Sequence, residues 1–143
     1  MKAILFSCAM FFVLAGCTST KTAQTATSIE DTYWVLTELM GKPVSAQQPN
    51  GKEIHILLNK SENRVQGFAG CNGFGGNYEL KAGNRVVFSQ MIGTLMACDA
   101  LDTENELLKA LRTADNYTIA DGKLSLNKAR MAPLARFEIG KKK

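Results

Sequence analysis

Histidine and tryptophan each occur once among 143 residues and proline three times, and these shortages narrow the possible chemistry at once. A single histidine, His55, leaves a catalytic nucleophile–base–orienter arrangement with one ordinary base. His55 with Cys71 and Cys98, the cysteines of the body, falls short of a four-ligand zinc set, and the spacing matches no finger or ribbon. Charge is sparse as well. Charged residues make up 21% of the chain for a net charge of +4, and the one basic run, Lys141–Lys143, reads as a solvated tail rather than a nucleic-acid footprint. Asp99, Asp102, Glu104 and Glu106 lack the twelve-residue calcium loop, and no Gly-Lys-Ser/Thr ending marks a phosphate-binding loop. The sequence therefore implies no cofactor, no metal, no nucleic-acid partner and no enzymatic reaction.

The longest apolar run, residues 3–14, follows Met1-Lys2 and is too short to cross a bilayer. A short positive region, an apolar stretch and small residues are the parts of a secretory signal. The stretch ends in Leu14-Ala-Gly-Cys17, which resembles the lipobox of bacterial lipoproteins. That resemblance implies cleavage after Gly16, a lipid on the Cys17 sulfur and attachment to the cell envelope. Thr18 stands where an aspartate would signal inner-membrane retention, so the expected location is the outer membrane, facing the periplasm. Residues 17–30, mostly Thr, Ser, Ala and Gln, read as a flexible tether, and residues 31–140 as one domain with one core.

With Cys8 in the signal and Cys17 on lipid, Cys71 and Cys98 remain. An exported pair in an oxidising compartment is read as a disulfide, with two buried thiols as the alternative.

The body alternates short strand patterns with turn residues. Tyr33–Met40, Glu53–Leu58, Arg64–Gly70, Asn77–Leu80, Arg85–Ser89, Asn116–Ala120, Lys123–Asn127 and Pro133–Ile139 read as strands. Asp121-Gly122 is the signature of a type I′ hairpin turn, and counting outward from it pairs Ile119 with Leu124 and Tyr117 with Leu126. One helix is expected over residues 103–114, opened by a capping box of Thr103 and Glu106 and carrying Leu107, Leu108, Leu111 and Ala114 as its apolar stripe. Many hairpins and one helix give a mostly β (α+β) fold, a small antiparallel curled sheet or barrel with one packed helix. His55 alternates with Ile54 and Ile56 and is expected on the solvent side. The stretch Gly67–Tyr78, dense in glycine and aromatics, is either a tightly bent corner or a ligand cradle, and its position between two hairpins favours the corner.

Trp34-x-Leu36, Gly67-x-Ala69-Gly-Cys-Asn72, Tyr78, Thr94-Leu-Met-Ala-Cys98, Glu106-x-Leu108-x-x-Leu111, Leu124-x-Leu126 and Leu134-x-x-Phe137, in that order, resemble the META domain family, which includes the heat-shock lipoprotein HslJ. The resemblance covers the body after the tether. It implies a compact, barrel-like β domain with one helix and no reaction, serving envelope integrity or tolerance of stress and antibiotics, with an envelope protein as partner. The competing expectation is a small-molecule or peptide binder using the mouth of the barrel.

Overall fold

The computed structural model describes residues 27–45, 47–48 and 51–141. The expected signal segment and Cys17 lie outside the described residues. Alternating apolar positions set the strands: β1 Trp34–Leu39, β2 Lys42–Pro43, β3 His55–Asn59, β4 Arg64–Phe68, β5 Gly73–Lys81, β6 Arg85–Gly93, β7 Asn116–Ala120, β8 Lys123–Asn127 and β9 Ala135–Ile139, with helix α1 at Leu101–Thr113 between β6 and β7. All pairings between these strands are antiparallel. β9 returns to β1 through registers such as Leu36↔Phe137, which closes an eight-stranded barrel with the two-residue β2 hanging from β1.

An eight-stranded barrel has an interior that its own side chains can fill or that can hold one small ligand, and here side chains occupy it. Trp34, Leu36, Ile54, Ile56, Leu58, Val65, Val86, Leu124, Leu126 and Phe137 are all completely buried and fill it. Asp121 and Gly122 have φ of 51° and 72°, as a type I′ turn requires, and Ile119 faces Leu124 while Tyr117 faces Leu126.

β5 and β6 are longer than the sequence pattern indicates. Their ladder passes through a bulge in which Gln90 and Met91 oppose Gly76. Gln90 takes φ of 50° there, and a Cβ on Gly76 would come within 2.9 Å of the Ser89 carbonyl oxygen. The bulge thus needs a glycine opposite it and lets β6 bend without losing its ladder to β5.

The seam between β6 and β7 is the thin one, with a single register pair, Arg85↔Asn116, flanked by bonds from Val86 N–H to the Asp115 carbonyl (3.2 Å) and from Tyr117 N–H to the Asn84 carbonyl (2.9 Å). α1 packs on β6 and sends Leu107 and Leu111, both fully buried, into the shared core.

The ordered body starts before residue 31, so the tether expected over residues 17–30 is too long at its C-terminal end. Ile29 is buried in the core, its carbonyl accepts a hydrogen bond from Trp34 Nε1 (3.0 Å), and Glu30 bridges to Leu58. The Tyr78 hydroxyl also donates to Glu30 Oε1 at 2.7 Å. Burial, that hydrogen bond and the nearby charges of Glu30 and Asp31 push the Tyr78 phenol well above its usual range. Residues 27–30 thus carry one large apolar side chain, Ile29, and it is buried with the core.

Candidate functional site

The stretch Gly67–Tyr78 divides in two. Gly73–Tyr78 belongs to β5, and the corner is confined to Ala69–Asn72. Gly70 takes φ of 122°, and a Cβ there would stand 3.2 Å from the Ala100 Cβ, so the corner rests directly on the start of α1. Next to it the structure joins buried Cys71 to exposed Cys98 by a disulfide, with Cα atoms 5.8 Å apart.

Asn72 ties the same corner to two other segments. Its backbone N–H donates to Glu104 Oε2 (2.7 Å), and its Nδ2 donates to Glu104 Oε1 (2.9 Å) and to the Met96 carbonyl (2.9 Å). Its Oδ1 accepts from Thr94 Oγ1 (2.8 Å) and from Met96 N–H (2.9 Å). Both amide protons and both lone pairs of the side chain are thereby used, which is complete satisfaction for an asparagine 2% exposed. Glu104, equally hidden, spends both carboxylate oxygens on Asn72.

This network corrects the expected helix start. α1 begins at Leu101 rather than residue 103, Ala100 occupies the N-cap position, and no side chain caps the first turn. Thr103 and Glu106 do not form a capping box. The acid that matters in the first turn is Glu104, turned inward to Asn72, while Glu106 is exposed. In the sequence Glu104 is one of four acids near the helix start that lack a calcium loop, and nothing local to it marks Asn72 as its partner.

Residues 94–98, pinned by the disulfide and Asn72, carry their large side chains outward. Leu95 is 99% exposed, Ile92 71% and Met96 63%, and Leu101 lies exposed beside them. Between this segment and α1 runs a groove of about 460 Å³, lined mainly by Met91, Leu95, Met96, Leu101, Leu108 and Arg112. A second, shallower groove of about 500 Å³ lies on the outer face of β3–β6, between Tyr33, His55, Leu57, Gln66, Gly75 and Ile92.

His55 stands on the outer face, opposite buried Ile54 and Ile56, and lines that second groove half-buried. Its ring stacks on Tyr33 with centroids 4.5 Å apart, and its Nδ1 lies 2.9 Å from the Glu53 carbonyl oxygen. Burial, then the charge of Glu53, raises the Tyr33 phenol pKa. Among the described residues no group of three or more His, Cys, Asp and Glu side chains is placed to hold a metal ion.

A family model for the META domain matches residues 27–141. The chain belongs to the META domain family. The matched span includes the docked segment around Ile29 as well as the barrel and α1. Among solved structures, the META domain here is similar to the NMR structure of a protein from Burkholderia xenovorans, with 26% identity over 80% of this chain and 85% of that one and a TM-score of 0.61. A crystal structure of a DUF4847 family protein from Bacteroides vulgatus shares the fold at 15% identity and a TM-score of 0.61, covering 80% of this chain and 96% of that one. Another NMR structure matches at 18% identity with the same TM-score, covering 77% of this chain and 90% of the other. No curated protein matches the chain.

Proposed function

We propose that this META domain protein is a non-enzymatic lipoprotein, held through Cys17 to the outer membrane on its periplasmic side, that supports envelope integrity under stress through contacts made by residues 92–101. The observation that carries the reading is the division between inside and outside. The barrel interior is occupied by Trp34, Leu36, Phe137 and their neighbours, whereas four of the eight exposed large hydrophobic residues among the described residues fall between Ile92 and Leu101. A ligand entering the mouth of the barrel would have to displace that core, so surface contact is the better supported route. The Cys71 and Cys98 sulfurs are joined to each other, which removes both as thiolate nucleophiles while the bond is intact.

Residues 27–30 lie beside Leu80, Asn84 and Tyr117, near the end of β5 at Lys81, whereas residues 94–98 lie beside Asn72 and Gly73 at its other end. Glu30 meets the side chain of Tyr78, five residues along β5 from Gly73, which at ~3.3 Å per residue puts the two about 17 Å apart along the strand.

Deleting the gene and growing cells under heat and with an envelope-active antibiotic tests the role. Loss of growth that is restored by the wild-type chain, but not by Cys17→Ala or by Leu95→Asp, is the expected pattern. Unchanged growth and permeability in the deletion strain would sink the role, and full rescue by Cys17→Ala would sink the anchor.

A further inference from the structure

The groove between residues 91–97 and α1 has an uneven chemistry that specifies an occupant. Its walls are hydrocarbon and thioether from Met91, Leu95, Met96, Leu101 and Leu108, and Arg112 stands among them as the cation. Arg112 Nη2 lies 3.5 Å from the Met91 carbonyl oxygen, so the guanidinium reaches across from α1 toward β6. No carboxylate among the described residues pairs with it.

Of the uncharged or acidic polar side chains that line the groove, Asn72, Thr94 and Glu104 are engaged within the protein, and Asn105 stands exposed on α1 at its rim. Asn72 makes all four of its side-chain hydrogen bonds within the protein, and both oxygens of Glu104 accept from Asn72. Thr94 donates its hydroxyl to Asn72 and its backbone N–H to the Gly73 carbonyl. A peptide laid here would lose the hydration of its own backbone amides and find few partners in exchange, which is costly. A hydrocarbon chain has no such groups to lose. Its volume also suits the space, since small-molecule sites run from about 300 to 1,000 Å³, and methionine walls adapt to a flexible chain.

We propose that this groove binds an anionic amphiphile of the fatty-acid class, its acyl chain against Met91, Leu95, Met96, Leu101 and Leu108 and its carboxylate on Arg112. The proposal stands on the groove alone and holds or fails independently of any lipid on Cys17.

The test uses the full chain carrying Cys17→Ala, so that no acyl group is attached through that thiol, with the fluorescent polyene cis-parinaric acid as probe. Palmitate should displace the probe, and Arg112→Gln should weaken palmitate about tenfold or more, in line with the loss of a charge-assisted hydrogen bond, while leaving hexadecanol unchanged. Leu95→Asp, at a position 99% exposed and therefore outside the folded core, should weaken both ligands. Absence of probe binding, equal palmitate affinity in Arg112→Gln, or tighter binding of an apolar hexapeptide with a free C-terminus than of palmitate would each overturn the assignment.

Discussion

The wall of the barrel formed by β7, β8, β9 and β1 and the end of the barrel around Asn72 are built on different physics. In the wall, Leu124, Leu126, Phe137, Trp34 and Leu36 meet chiefly through apolar contact, with one buried hydrogen bond from Trp34 to the Ile29 carbonyl, and at the aliphatic positions an apolar side chain of similar volume would serve nearly as well. At the Asn72 end the ties are directional: a disulfide, a saturated amide and a buried carboxylate hold together a corner, residues 94–98 and a helix start. The first arrangement supplies stability, and the second supplies position. That is why the exposed apolar residues can stand on the second without collapsing into the first.

The sharpest way to weigh the wall is Phe137→Ala. Emptying a fully buried aromatic site should cost about 3–5 kcal/mol in urea unfolding. A loss under 1 kcal/mol would mean that the wall does not dominate. Reducing the Cys71–Cys98 bond opens a loop whose ends are separated by 27 residues, and the chain-entropy relation gives roughly 3–4 kcal/mol. Thiol labelling of the unfolded protein, with and without reductant, reads the bond directly, and labelling of both cysteines without reductant would remove it from the account.

Glu104→Ala leaves Asn72 with two buried donors unpaired and should cost about 2 kcal/mol. Amide exchange should speed most in residues 94–98 and little in β8, which separates a positional tie from a general one. Equal acceleration in both would erase the contrast drawn above.

Asp115, at the junction of α1 and β7, provides a pH probe near the thin seam. The Ala129 N–H, the Asn116 side chain and Lys128 stabilise its carboxylate and lower its pKa below the ordinary value. Because the folded state binds the proton less tightly, its contribution is present above the unfolded-state pKa and is lost as pH falls through the folded one. Asp115→Asn should therefore flatten the acid limb of the stability curve, and an unchanged acid limb would count against the assignment. Thr103→Ala should have the smallest effect, under about 0.5 kcal/mol, since Thr103 caps nothing; a loss near 1 kcal/mol would restore the capping box.

Much of the wall is legible from residue order. The Asp121-Gly122 turn and the alternation on either side specify the β7–β8 register, because both signals are local and agree. The extra length of β5 and β6 is not legible, since the glycines of Gly73–Gly76 read as a turn until a neighbouring strand gives them a ladder. Glu104 is hidden for a similar reason: on a helix surface it is an ordinary first-turn acid, and only Asn72, 32 residues away, turns it inward.

The sequence by itself determined the β-rich class, the family pattern and the β7–β8 register nearest its turn. Each of these depends on residues close in the chain or on a pattern that survives without coordinates. Tertiary structure alone decided that the barrel closes through β1 and β9, that Ile29 docks, and that α1 fills the space beside β6. It also decided that Asn72 and Glu104 saturate one another, leaving Arg112 above an apolar groove. Those outcomes depend on partners distant in sequence, and a buried polar group chooses its partner only once the fold has brought the candidates within reach.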